Sequence, residues 1–260
     1  MMLRLIAIML LACSSAWARV YVFTTETVTT VGTTTTTTQP PSYDAAWRDQ
    51  IVLEYTFDDL PWTNVSGQVY DHSPSGNNYG TLGGTPTIST GVVYFGGSAY
   101  IQSAITDSLN NTTSFTFSVW YYRTGSWGGT MTPMATVGNA GKTTYFQQQT
   151  AFQRTAVLAT VGGNTAQELN GRQWHMLTTT WDAVDNTVHF YIDAAHSTNV
   201  TSFTATGPML QSNSWFIATS SALANYFTGY EDDALVVSRA LTYIEVTNRY
   251  YHTMQTGGKW

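Results

Sequence analysis

Carboxylates are the side chains of this chain best suited to acid–base chemistry. Hydrolysis of a glycosidic bond needs two carboxyl groups, about 5 Å apart in retaining enzymes and farther apart in inverting ones. Alternate positions of one strand would put such a pair on one face. Glu54 and Glu168 each stand alone, whereas Glu231, Asp232 and Asp233 are consecutive and are expected to alternate between opposite faces. The sequence therefore predicts a protein that is not an enzyme, unless distant strands assemble a pair.

Histidine and serine add no catalytic pattern. The five histidines form no HExxH motif and no other close metal-ligand spacing, and no serine lies in a G-x-S-x-G turn. His175 follows Trp174 in a predicted strand and is interpreted as a packing or hydrogen-bonding residue.

Aromatic side chains could instead hold a sugar, because they offer an apolar face to its ring. Three of them lie near glycine or polar residues in predicted loops and are the candidate ligand-binding residues: Trp127, Tyr145 and Tyr226. Three others lie in strand patterns and are expected in the core: Trp120, Trp174 and Trp181.

The charge of the chain excludes one class of partner. The formal net charge is -6 at pH 7, and Lys142 and Lys259 are the two lysines. A protein that binds nucleic acid needs a basic surface to neutralise phosphates. Nucleic acid is therefore not expected as a partner, whereas the 43% hydrophobic content supports a sizeable core.

The first 18 residues are typical of an export signal. Arg4 precedes a short apolar run at 5–12, and residues 16–18, AWA, have the small-x-small pattern that predicts cleavage before Arg19. The apolar run is too short to span a bilayer. We expect a secreted or cell-surface protein.

A second export pattern overlaps the first. Residues 10–13, LLAC, resemble a bacterial lipobox, in which Cys13 would carry a lipid anchor. Cys13 is also the single cysteine, so no disulfide can form within the chain. Both patterns direct the protein out of the cytoplasm.

Residues 19–46 are predicted to be a linker or stalk. Threonine dominates from Thr24 onward, with an unbroken run at 33–38 that is followed by QPP at 39–41. Such composition favours O-glycosylation, which would stiffen the segment, and it equally fits an unmodified flexible spacer.

The remaining sequence shows the period of strands. Apolar residues alternate with polar ones at 51–58, 115–121 and 188–192, and glycine or asparagine clusters separate these runs. We find no convincing long amphipathic helix. This pattern predicts an all-β, two-sheet antiparallel jelly-roll sandwich over residues 47–254, followed by a tail at 255–260.

Several segments, in their order along the chain, resemble the LamG-like (laminin G-like) jelly-roll domains of the concanavalin A-like lectin/glucanase superfamily. The resemblance covers about residues 51–251, and its motifs are YTFDD at 55–59, DHSPSGNNYG at 71–80, FTFSVW at 115–120, RQWHML at 172–177, VHFYID at 188–193 and GYEDDALVVSRALT at 229–242. Two residues depart from the family pattern. Glu231 replaces an apolar residue, and Ala194 replaces the turn glycine that usually follows Asp193.

The resemblance leaves several functions open, since this superfamily contains lectins, adhesion modules, carbohydrate-binding modules and glycosidases. Its glucanases carry an E-x-D-x-E strand that is missing here. We therefore expect a secreted, non-catalytic module that binds carbohydrate or an extracellular glycoprotein or matrix partner. The alternatives are a structural display domain without a soluble ligand, and a glycoside hydrolase or lyase.

The resemblance also implies a structural Ca²⁺ ion. LamG-like domains often hold one, and the implied ligands are Asp58 or Asp59 from the first strand motif with Asp232 or Asp233 from the last. Two solvated acidic turns without metal are an equal alternative.

Four N-x-S/T sequons would carry glycans if the chain passes through a eukaryotic secretory pathway. They lie at Asn64, Asn110, Asn111 and Asn199.

Overall fold

The computed structural model divides the chain into two compact units, Met1–Ala46 and Trp47–Trp260. The residues that the structure describes are 6–10, 20–24, 26–30, 33–37, 46–59, 69–89, 91–104, 109, 112–124, 130–137, 143–148, 153–159, 163–165, 172–182, 184, 187–196, 214–257 and 259.

The first unit contains two antiparallel strand pairs. Strand β1 (Ile6–Leu10) pairs with β2 (Val20–Thr24), and β3 (Glu26–Thr30) pairs with β4 (Thr33–Thr37). Threonine is β-branched and favours strands, which accounts for pairing within this Thr-rich sequence. The export signal and the stalk stay predictions.

The described residues of the second unit form a short 3₁₀ turn at Arg48–Gln50, fifteen strands and one helix. The elements are β5 (Ile51–Tyr55), β6 (Gly80–Gly83), β7 (Thr87–Ser89), β8 (Val92–Gly96), β9 (Tyr100–Ser103), β10 (Ser114–Arg123), β11 (Met131–Val137), β12 (Thr143–Gln148), β13 (Gln153–Ala159), β14 (Gly163–Thr165), β15 (Trp174–Asp182), β16 (Thr187–Ile192), β17 (Ala195–His196), β18 (Trp215–Ile217), β19 (Thr228–Val237) and α1 (Tyr243–Thr256).

These strands form two antiparallel sheets. The first sheet has the order β17-β16-β15-β10-β19-β8-β7, with β5 also paired to β19, and the second has the order β14-β13-β12-β11-β18-β9-β6. Strands that are distant in sequence lie side by side, as the sequence predicts for a jelly roll. The predicted all-β sandwich is confirmed.

The core lies between the sheets and is rich in aromatic rings. Phe117 of the first sheet packs on Phe146 and Trp215 of the second, with ring centroids 4.3 Å and 5.5 Å away. Of the tryptophans predicted to be buried, Trp181 joins this core. Trp120 is buried on the opposite, outer face of the first sheet, and Trp174 is half-buried.

The helix α1 covers part of that outer face. Trp120 donates a hydrogen bond from Nε1 to Oγ1 of Thr253 at 2.7 Å and stacks on Tyr250 at 5.3 Å. The expectation of no long helix was wrong. No helix among the described residues is long and apolar enough to cross a membrane.

Candidate functional site

A cleft of about 480 Å³ lies on the outer face of the first sheet. Its floor is formed by β15 and β16, and its wall by the segment that enters α1. The lining residues are Thr180, Asp182, Thr187, His189, Tyr191, Ala240, Leu241, Thr242 and Tyr243.

Strand alternation places the floor residues on one face. Thr180 pairs with His189, and Asp182 pairs with Thr187 across the β15–β16 ladder. Directly paired residues of antiparallel strands point the same way. The intervening residues, such as Trp181 and Phe190, point into the core.

Hydrogen bonds hold the wall against the sheet. The Thr116 hydroxyl on β10 donates to the carbonyl of Arg239 and accepts from the amide of Leu241, both at 2.8 Å. Thr242 caps α1 through a reciprocal pair of bonds with Glu245. The cleft wall is therefore anchored before any ligand arrives.

Two tyrosines give the cleft an aromatic side. Tyr243 is 56% exposed, and its ring lies 6.3 Å from that of buried Tyr191 at an interplanar angle of 28°. The His189 ring lies 6.3 Å from the Tyr191 ring. Burial raises the pKa of Tyr191, against the lowering effect of a hydrogen bond with Thr180. The Tyr243 ring thus offers a free apolar face beside polar groups.

The charge of the cleft comes from one carboxylate. Asp182 is the single Asp, Glu, Lys or Arg among the nine lining residues. Arg239 lies nearby in the chain, but Glu245 holds its guanidinium through two bonds of 2.5 and 3.0 Å. The described lining residues therefore include neither the paired carboxylates of a glycosidase nor a lysine or arginine for an anionic ligand.

The four predicted calcium ligands lie at a separate place. Partial burial raises the pKa of Asp58, which is otherwise exposed, and the charge of Asp233 raises it further, so the first-strand and last-strand carboxylates do come near one another. The Asp59 carboxylate contacts His72, with Oδ2 of Asp59 2.5 Å from Nε2 of His72.

Asp232 and Asp233 do not point to opposite faces, which corrects the alternation expected from sequence. The register between β10 and β19 shifts between Ser118 and Trp120, and Asp233 has a φ of 47°. Such a bulge puts two residues opposite one partner and re-aims the side chains. Both carboxylates therefore reach the same point.

That point is taken by the ammonium of Lys259. Its Nζ lies 3.0 Å from Oδ2 of Asp232 and 2.5 Å from Oδ2 of Asp233. Burial, with the charge of Asp233, raises the pKa of Asp232 to about 8, while Lys259 acts to lower it. Across the described ranges no group of three or more His, Cys, Asp or Glu side chains is arranged to hold a metal ion. Calcium binding stays a prediction.

The candidate sugar-binding residues inferred from sequence do not meet in the cleft. Tyr145 lies on β12 of the second sheet, and Tyr226 lies beside Tyr100 of β9, with two strands between β12 and β9. Trp127 lies outside the described residues, as do Cys13 and the sequons at Asn64, Asn110, Asn111 and Asn199.

Sequence reasoning missed the cleft residues, although one signal was available. Thr187, His189 and Tyr191 occupy alternate positions of β16, and the residues between them are apolar, which marks a face that is not core. The motif T-x-x-E at 242–245 also marks a helix start. Their convergence depends on tertiary structure.

His175 has the role that the sequence assigned to it. It is buried, and its Nδ1 lies 2.7 Å from Oδ2 of Asp193.

Solved structures share this fold at low identity. Domain 4 of AbnA, a GH43 extracellular arabinanase from Geobacillus stearothermophilus in complex with arabinotriose, is 19% identical, has a TM-score of 0.57, and the match covers 76% of this chain and 97% of that one. The botulinum neurotoxin serotype D binding domain is 12% identical with a TM-score of 0.58, and the match covers 82% of this chain and 53% of that one.

A third similar structure is of botulinum neurotoxin type C, whose uptake into cells is dependent upon interaction with two ganglioside molecules. It is 13% identical with a TM-score of 0.59, and the match covers 80% of this chain and 52% of that one. The chain thus spans about half the length of the neurotoxin structures that it matches.

A comparison with curated proteins gives no match. Residues 95–247 match the laminin G family model of the concanavalin A-like lectin/glucanases superfamily. These residues carry β10, β15, β16 and β19, which build the first sheet and the cleft floor. Because the match covers more than half of the 260 residues, the chain belongs to this laminin G family of the concanavalin A-like lectin/glucanases superfamily.

Proposed function

We propose that this protein is a secreted, non-catalytic module that binds carbohydrate in the cleft between β15, β16 and α1. The observation that carries the proposal is the half-exposed Tyr243 ring beside the polar face of His189, Thr187 and Asp182. A sugar ring stacks its C–H face on an aromatic ring while its hydroxyls bond to neighbouring polar groups. The cleft offers both in one place.

The charge of the lining favours an uncharged glycan. A carboxylate or sulfate on the ligand would meet Asp182, and the described lining residues include no lysine or arginine to balance it, while the nearby guanidinium of Arg239 is engaged by Glu245. Neutral hexose or pentose chains avoid this repulsion. Arabinotriose bound to domain 4 of AbnA is a neutral ligand of this kind on the same fold.

Two exposed apolar residues lie close in sequence to residues that line the cleft, and we infer a glycoprotein as the natural partner. Val184 follows Asp182 in the chain and is 82% exposed, and Ile244 follows Tyr243 and is 68% exposed. A polypeptide that carries the glycan could cover them.

Binding and its location are tested together on a glycan array with full-length protein and Tyr243→Ala. Loss of the stacking surface should weaken binding to a neutral glycan about tenfold. Tyr70→Ala is the matched control, since Tyr70 is 55% exposed and does not line the cleft. Unchanged binding by Tyr243→Ala, or an array on which the wild type binds nothing, would refute the proposal. Release of reducing sugar by the wild type would refute the non-catalytic part.

A further inference from the structure

The carboxylates of Asp232 and Asp233 share one side of β19 because of the bulge between them. Asp232 is buried, and Asp233 is half-buried. Two neighbouring carboxylates repel one another, and this repulsion is strong where water is excluded. A positive charge at this place offsets that repulsion and favours the ionised form of Asp232.

Lys259 supplies that charge from the end of the chain. Its side chain is fully buried, with Nζ within 3.0 Å of both carboxylates and 3.3 Å from the Thr253 carbonyl. The same Nζ lies 5.3 Å from the centroid of the Trp120 ring. An ammonium has three donors, and these three oxygens accept them.

Calcium does not fit this arrangement as it stands. The ion needs six to eight oxygen ligands at 2.3–2.6 Å. Here Asp59 is engaged with His72, Asp58 is exposed, and the position between the other two carboxylates is filled by an ammonium. The described residues provide no group of three acidic or histidine ligands.

We infer that Lys259 is the structural cation of this acidic site, a covalently attached ammonium in the place where the family resemblance implies a metal. Because Lys259 follows α1, the same contact holds the end of the helix against the sheet. The fold then needs no calcium, and its integrity depends instead on the segment that follows α1.

The test is a double-mutant cycle on the full-length chain with Lys259→Met and Asp233→Asn. Methionine has nearly the length of lysine without its charge. Lys259→Met alone should lower the melting temperature by about 10 °C, because it leaves buried carboxylates unpaired. In the Asp233→Asn background, Lys259→Met should lower the melting temperature by clearly less, since the repulsion between the two carboxylates is gone. Equal losses in the two backgrounds would overturn the inference.

Calcium provides the second readout. The melting temperature of the wild type should be the same in millimolar calcium and in chelator. A rise of several degrees with calcium would show that the carboxylates take a metal with Lys259 present, and the inference would fail. Arg172→Met is the control for loss of a positive charge, because Arg172 is exposed, and it should lower the melting temperature less than Lys259→Met.

Discussion

The carboxyl group of Glu231 lies in the apolar core, on the face of β19 that it shares with its cross-strand neighbours Tyr121 and Val93. Glu231 is 0% exposed, and within the described part of the chain neither of its carboxyl oxygens has a hydrogen-bond partner. Burial raises the pKa of Glu231 well above its usual value, so the folded protein keeps the proton. Glu231 is one of the two residues that depart from the family pattern, in which an apolar residue is usual at this position.

A neutral buried glutamate makes stability depend on pH. The unfolded chain releases the Glu231 proton above about pH 4.5, while the folded chain holds it until its own higher pKa. Over that interval this residue lowers the free energy of unfolding by about 1.4 kcal/mol for each pH unit. Its contribution is thus most favourable in acid and is lost as pH rises.

Replacing Glu231 by leucine should therefore stabilise the protein, and more so at higher pH. Urea unfolding at about pH 5 and about pH 8 would measure the difference from wild type. Glu231→Gln, which cannot ionise but remains polar, should remove the pH-dependent part and keep the cost of an unpaired polar group. A stability difference that is the same at both pH values would contradict this account.

The turn between β16 and β17 contains the second residue that departs from the family pattern, Ala194 in place of glycine. Asp193 and Ala194 have φ angles of 51° and 60°, as a two-residue hairpin turn of this kind requires. Asp193 is anchored, because its Oδ1 accepts from the amide of Met176 at 2.9 Å. Ala194 has no such compensation in its side chain and sits in a conformation that favours glycine.

Ala194→Gly should raise the free energy of unfolding by about 1 kcal/mol, since the strain of the left-handed conformation is relieved. Chemical denaturation would detect it. Ala195→Gly is the neighbouring control, and it should lower stability by about 0.5 kcal/mol because Ala195 lies in a strand. A loss of stability in Ala194→Gly would show that the turn is not strained.

Elements with a clear local period could be predicted, and those that depend on context could not. The apolar alternation at 115–121 and 188–192 falls within β10 and β16. The helix α1 was missed because Ile244, Val246 and two adjacent tyrosines at 250–251 also suit a strand. The bulge at Asp233 was missed because alternation assumes an unbroken ladder.

At the scale of the molecule, the site depends on one long-range arrangement. The floor of the cleft comes from β15 and β16, and its wall from the segment before α1, which packs on β10. Neither segment alone carries a recognisable binding motif. The sequence could predict the jelly roll, because the family resemblance describes the sheets. It could not predict that the segment before α1 lies against β15 and β16, because exposed surfaces differ among proteins of one fold.

We expect the protein to be exported, and its mature N-terminus tests this directly. The motivation is the sequence of the first 18 residues, in which Arg4 and an apolar run precede AWA at 16–18. Native protein isolated outside the cytoplasm should begin at Arg19, because signal peptidase cleaves after small residues, or it should carry lipid on Cys13. N-terminal sequencing with intact mass measurement distinguishes the two.

Two variants separate these routes. Cys13→Ser should abolish lipidation and leave cleavage before Arg19 unchanged, since its hydroxyl cannot form the thioether. Ala18→Phe should block cleavage before Arg19, because a bulky residue does not fit the position that precedes the cut, and it should leave a lipid on Cys13 unaffected. If native protein keeps Met1, both routes are excluded, and residues 1–18 must be a permanent part of the chain.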